Sequence, residues 1–189
     1  NAKVFAFKMD VSDIDSIRFV SEKLLTEGLN VDILINNAAI DPKVSKEKDN
    51  ANTSSKFENF SLTRWENEIK VGLTGAFQCC QVFGAEMAKN KKGVILNIAS
   101  DLSVIAPDQR IYKTNRNDQQ FYKPITYSVI KTGLIGLTKY IATYWAEDGI
   151  RCNAISPGGV FNGQNKEFVQ RVSELIPLGR MANKNEYRG

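Results

Sequence analysis

The stretch "GVILNIAS" (93–100) decides the fold. It is apolar almost without a break and rich in branched side chains, the pattern of a strand covered on both faces rather than one half open to water. "VDILIN" (31–36) before it and "IRCNAIS" (150–156) after it have the same character. Between these runs lie segments of helical periodicity. One runs from about Ser61 to Asn90, interrupted by Gly72 and Gly75, and another from Ile125 to Glu147. Upstream, "AKVFAFKMD" (2–10) is a further strand candidate closing on Asp10. Ser12 is placed to cap the next helix, with Asp13 and Asp15 in its first turn, Ile14, Ile17, Val20, Leu24 and Leu25 at helical spacing, and Gly28 at its end. A last amphipathic helix near 165–175 stops before Pro177, and polar stretches at 40–60 and 101–124 are expected to be irregular. Strand and helix alternate without hairpin signals. The expected fold is a doubly wound α/β domain, a parallel sheet with helices on both faces, forming one unit over 1–189.

Composition narrows the function. The chain has 189 residues, 42% hydrophobic and 24% charged, and no low-complexity tract, which suits one globular core. No run approaches the ~18 apolar residues of a membrane helix, and no signal-peptide order opens the chain. Cys79, Cys80 and Cys152 lack disulfide or metal-ligand spacing and read as reduced core residues of an intracellular, cytoplasmic protein. The cluster "KNKKG" (89–93) falls at a helix end, where positive charge suits the dipole, and lacks the aromatic interleaving of a nucleic-acid surface. No histidine is present, which removes Ser-His-Asp triads and His-ligated zinc, and no metal is expected. The chain opens at Asn1 on what reads as an interior strand and closes in "NKNEYRG", which reads as mid-helix. The expectation is a piece of a longer chain, cut at both ends.

In a doubly wound sheet, ligands bind beyond the carboxyl ends of the strands. Those ends are Asp10-Val11, Asn37-Ala38, Ser100 and Pro157-Gly158, small or hydrogen-bonding residues converging on one edge. "KPITYSVIKTG" (123–133) adds Tyr127 and Lys131, four residues apart and so on one helix face. A free phenol, with a pKa of ~10, is a poor base near neutrality. A fixed ammonium beside it lowers that value by about 1–3 and makes a proton-transfer pair that needs no imidazole. On a solvated helix the same spacing is merely decorative, so its company matters.

That company resembles the short-chain dehydrogenase/reductase family over nearly the whole chain. "DILINNAA" (32–39) is similar to the Asn-Asn-Ala-Gly segment, with Ala39 where Gly is usual. "GVILNIAS" resembles the strand that ends in the active-site serine, "YSVIK" the Tyr-x-x-x-Lys signature, "RCNAISPGGV" (151–160) the strand end at the nicotinamide, and "MDVSD" (9–13) the adenine-side turn. The resemblance implies an NAD- or NADP-binding Rossmann-like domain. It implies Tyr127 as general acid or base, Lys131 as the group that lowers its pKa and holds the ribose, and Ser100 as hydrogen-bond donor to the reacting oxygen. Asp10 and Val11 would contact adenine, Asn37 and Ala38 the middle of the cofactor, and Pro157, Gly158 and Val160 the nicotinamide end. Without the family, Ser100 is a strand-end cap and Pro157-Gly158 a turn.

The departures from the family pattern also carry expectations. The glycine-rich phosphate turn is absent, as expected of a cut chain, and the choice between NAD and NADP goes with it. Gly72 stands where the family presents an asparagine that supports a proton relay. Either the relay survives through the Gly72 carbonyl, or glycine simply permits close helix packing. Asn162 replaces a phosphate-side threonine. Ser100 and Tyr127 are 27 apart, where the family has about a dozen residues between them, and the extra segment carries Arg110, Lys113 and Arg116. It is expected to overhang the pocket and bind a polar, anionic substrate such as a sugar derivative. The resulting expectation is an oxidoreductase exchanging hydride between NAD(P) and a secondary alcohol or ketone, working as a homodimer or homotetramer. The alternatives are a nucleotide-sugar epimerase or dehydratase, and a weakened dinucleotide-binding sensor or scaffold.

Overall fold

The computed structural model describes residues 3–40, 55–113 and 122–188. Three strands form one parallel sheet in the order β1 (Ile33–Asn36), β2 (Gly93–Ile98), β3 (Ile150–Ile155). The register sets Asn36 beside Asn97 and Asn97 beside Ala154, so the carboxyl ends of all three finish together.

Helix α1 (Ile14–Thr26) starts one residue later than expected: Asp13, not Ser12, is the cap, its carboxylate accepting from the Asp15 N–H. Ser12 is instead bound to Asp10, its N–H lying 2.8 Å from that carboxylate. The C-terminus follows expectation. Gly28 takes a positive φ of 71°, which lets the Leu29 N–H reach the Leu24 carbonyl at 2.9 Å and satisfy an orphan acceptor.

The second helix, α2 (62–89), is longer and less regular. Ser61 caps it, and α-helical segments Leu62–Ile69, Gly75–Cys79 and Ala85–Lys89 are joined by two π turns, Lys70–Thr74 and Cys80–Gly84. Each π turn contains a glycine against a side chain of α3 or its C-cap, α3 being Ile125–Tyr144. A Cβ on Gly72 would lie 2.9 Å from Ile130 Cγ2, and one on Gly84 would lie 2.5 Å from Trp145 Cζ3. A Cβ on Gly133 of α3 would in turn lie 2.8 Å from Leu73 Cδ2, so the two helices meet through glycines on both sides. Helix α4 (Lys166–Leu175) is capped by Asn165, whose side chain accepts from the Phe168 N–H at 2.8 Å.

The core lies on one face of the sheet. Ile95, Ile150 and Cys152 pack with Cys80 and Met87 of α2 and Ile141 of α3. Ile17 and Val20 of α1 pack with Cys79 and Phe83, and Leu34 touches both clusters. The three thiols are buried and free, and burial pushes them up from 9.0, to about 11 for Cys79 and Cys152 and about 12 for Cys80.

Three expectations are corrected here. The run 2–10 is not a strand in its described part: Phe7 and Met9, with Val11 after them, pack against the α1 cluster with a period of two, but among the described residues no strand lies alongside to complete a ladder. Strand β1 is not buried on both faces, since Ile33 is 63% and Ile35 56% exposed on the face away from the helices. The closing "NKNEYRG" is a turn over its described residues 183–188, with the Glu186 N–H on the Asn183 carbonyl, not a helix. Most of the 40–60 loop lies outside the described residues. The cluster at 89–93 is a paired helix terminus: Lys89 meets Glu86, Lys91 meets Asp148, and Lys92 meets Asp32. Among the described residues, no helix is long and apolar enough to cross a membrane.

Candidate active site

Sequence-local signals explain the framework. Strand β2 runs straight to Ser100, and the chain then turns through a short helical turn, Asp101–Ser103. The Asp101 N–H donates to the Pro157 carbonyl at 3.0 Å, which ties the ends of β2 and β3 together. Thr132 of α3 donates to the Ser103 carbonyl at 3.1 Å, drawing the helix to the same rim.

Pro124 caps α3 and places Tyr127 in its first turn. Lys131 follows one turn later, only 9% exposed, its ammonium donating to the Ile98 carbonyl at 2.5 Å and lying 5.8 Å from the centre of the Tyr127 ring. The expected pair is brought together at the strand ends. A shallow cleft open to solvent lies here, lined by Ala39, Glu68, Gly72, Lys123, Tyr127 and Lys131 among others.

Ser100 is on the same rim but engaged. It is 4% exposed, and its hydroxyl donates to the Asp101 carboxylate at 2.8 Å and accepts from the Leu102 N–H at 3.2 Å. In this structure it acts as the cap of the turn, and it does not line the cleft. Asp10 is exposed, with its carboxyl held below the usual range chiefly by the Ser12 N–H. Val11 closes on α2, where a Cβ on Gly75 would come within 2.9 Å of its carbonyl. Asn37 and Ala38 are exposed directly after β1. Past β3, the Gly158 N–H donates to the Tyr187 hydroxyl at 3.2 Å. Val160 bridges to Ala182, and the Asn162 N–H is taken by the Gln164 side chain at 2.7 Å.

Several residues escaped the sequence reading. Asn97 is fully buried: its amide donates to Thr138 at 2.8 Å and its oxygen accepts from Asn36 at 2.8 Å, a polar chain threaded through the core. The signal was an amide in the middle of an apolar strand, which survives only when paired. Glu68 is 4% exposed in the cleft wall, held by Arg64 Nε at 2.6 Å and by the Thr126 hydroxyl. Lys123 reaches over the Tyr127 ring, Nζ 3.7 Å from its centre.

Where it is described, the segment between Ser100 and Tyr127 reaches the cleft through Lys123 and Pro124, while its first part turns elsewhere. Arg110 is closed on Asp108 at 2.7 Å, and that guanidinium holds the Asp108 carboxyl at about 2. Tyr112 packs on Phe168 of α4 at 5.7 Å, and Arg171 donates to the Lys113 carbonyl. The first part of the segment therefore docks on α4, and Arg116 lies outside the described residues.

A family model described as enoyl-(acyl carrier protein) reductase matches residues 1–188. The chain belongs to the short-chain dehydrogenase/reductase family. Among its relatives in that family, D-threitol dehydrogenase of Mycolicibacterium smegmatis is 28% identical over 185 residues, 95% of this chain and 62% of that protein. The 3-oxoacyl-(acyl-carrier-protein) reductase of Aquifex aeolicus is 31% identical over 188 residues, 97% of this chain and 66% of the relative. The crystal structure of a short-chain dehydrogenase from Leptospira borgpetersenii with bound NAD+ superposes with a TM-score of 0.79 at 32% identity, covering 94% of this chain and 62% of that one. The chain thus spans 62–66% of the length of these short-chain dehydrogenase/reductase relatives.

Proposed function

We propose that this chain is the catalytic part of an NAD- or NADP-dependent oxidoreductase that interconverts a secondary alcohol and a ketone on a small polar metabolite, a sugar or sugar derivative. The observation that carries it is the Tyr127–Lys131 pair at the strand ends, with the ammonium 5.8 Å from the ring centre in a chain that has no histidine. Tyr127 gives or takes the proton at the substrate oxygen, and Lys131 favours its phenolate. Ser100 donates to the same oxygen once its hydroxyl turns from Asp101.

The chain's own residues suit a nicotinamide dinucleotide. Asn37 and Ala38 are exposed beyond β1, and the nearest atom to a Cβ on Gly158 would be Asp101 Oδ2 at 3.5 Å, so the turn after β3 leaves space. The carboxylate of Asp10, kept ionised by Ser12, suits the adenine end. When bound, the dinucleotide supplies the hydride acceptor or donor. Polyol chemistry in a relative supports a polar substrate, although acyl-carrier chemistry in another is the rival. A homodimer or homotetramer and a cytoplasmic location belong to the same proposal.

The test is turnover by the full-length protein with NAD+ and NADP+ against polyols, sugar acids, steroids and acyl thioesters. Oxidation of a polyol or sugar acid, lost in Tyr127→Phe, is the expected result. Turnover of acyl thioesters or steroids alone ends the sugar reading, and turnover equal in wild type and Tyr127→Phe ends the enzyme reading.

A further inference from the structure

We infer that Lys123 is a second cation acting on Tyr127, a positioning residue that holds the phenol toward its ionised form from the face opposite in sequence to Lys131. The inference rests on the reading of Tyr127 as the proton-transfer group and deepens it. The sequence carries the arrangement as Lys-x-x-x-Tyr-x-x-x-Lys over 123–131, one lysine a turn before the phenol and one a turn after it. In the structure the two ammoniums lie 3.7 and 5.8 Å from the ring centre, both inside the ~6 Å range of cation–ring attraction. The attraction strengthens when the ring bears a full negative charge, so Lys123 favours the phenolate.

The main chain beneath Lys123 is fixed. Gln109 donates to its carbonyl at 3.2 Å and accepts from its N–H at 2.9 Å, an amide clamp that closes the segment between 109 and 123. Pro124 then sets the backbone into α3. Lys123 thus stands in the cleft wall on a held main chain. Other charges face this region. Glu68 on α2 opposes the effect, but Arg64 and Thr126 hold both its oxygens. Asp101, in the turn packed against α3, is engaged by Ser100 and Leu102. Lys131 spends one hydrogen bond on Ile98.

The experiment is an ultraviolet titration of phenolate absorbance in the full-length protein, with the Tyr127→Phe spectrum subtracted in each background. Lys123→Met is expected to raise the Tyr127 midpoint by roughly half to one pH unit, and Lys123→Arg to leave it in place. An unmoved or lowered midpoint in Lys123→Met overturns the proposal, as does an equal rise in Lys123→Arg. Should Lys123→Met not fold, Gln109→Ala carries the test by releasing the clamp: a raised midpoint supports the role and an unmoved one overturns it. The titration needs no turnover. A protein that oxidises no alcohol would sink the oxidoreductase reading and leave the shift standing, whereas turnover with an unmoved midpoint would sink only the role of Lys123.

Discussion

The two π turns of α2 are built alike and do different things. Both have five residues, both contain a glycine, and both lie against α3 or its C-cap. The first, Lys70–Thr74, sets Gly72 against Ile130 in the wall of the cleft that holds Tyr127 and Lys131. The second, Cys80–Gly84, sets Gly84 against Trp145 in the core, where Cys80 is 2% and Phe83 5% exposed. A π turn widens a helix locally, and glycine lets a neighbour enter the widened groove. Local form is therefore a packing device here, and chemistry comes from what lies opposite. At Gly72 a Cβ would press on Ile130 Cγ2 at 2.9 Å, which fits the close-packing reading of this glycine.

The largest expected effect tests whether the first turn belongs to a working site. In the full-length protein, Tyr127→Phe is expected to cut turnover by about 10²–10⁴ while leaving the melting temperature alone. Retained turnover would make the two turns equivalent, both structural.

Next comes Gly84→Ala. Its Cβ would sit 2.5 Å from a rigid indole, an overpacking that is expected to cost about 2–3 kcal/mol by urea denaturation. Gly72→Ala presses on two methyls of Ile130 at 2.9 and 3.0 Å, a longer approach to a smaller side chain, and about 1 kcal/mol is expected. A larger loss at Gly72 than at Gly84 would break the contrast between a yielding cleft wall and an unyielding core.

The smallest effect concerns the thiol that opens the second turn. Burial pushes Cys80 to about 12, so iodoacetamide at pH 8 is expected to leave it unmodified in the folded protein and to label it in urea. Its folded value lies above the ordinary 9.0, so the stability it contributes is complete below pH 9 and is lost as pH rises from there toward 12. Rapid labelling of Cys80 under native conditions would show that the second turn opens.

Much of the architecture could be read in advance because strands and helices announce themselves by period. Strands at 33–36, 93–98 and 150–155 and helices at 14–26, 125–144 and 166–175 fall where the apolar spacing placed them. The misses have a common cause. The run 2–10 has a strand's composition, but a strand exists only with a partner to bond, and composition cannot supply one. The π turns leave no periodic trace, since each shifts the helical phase by a fraction of a turn. Glu68 carries no local signal of its burial, because its partner Thr126 lies 58 residues away across the α2–α3 contact.

By itself the sequence determined the order of elements, the parallel sheet, and the spacing that puts Tyr127 and Lys131 on one face, since these follow from period and from covalent distance along a helix. Tertiary structure alone decided the rest: that Lys131 reaches the Ile98 carbonyl, that Asn97 pairs with Asn36 and Thr138, that Glu68 is buried on Thr126 and that the Asp101 N–H meets the Pro157 carbonyl. Those choices depend on which groups of distant sequence arrive within hydrogen-bonding or charge range, and that is settled by how the helices pack, down to the missing Cβ of Gly72 and Gly84.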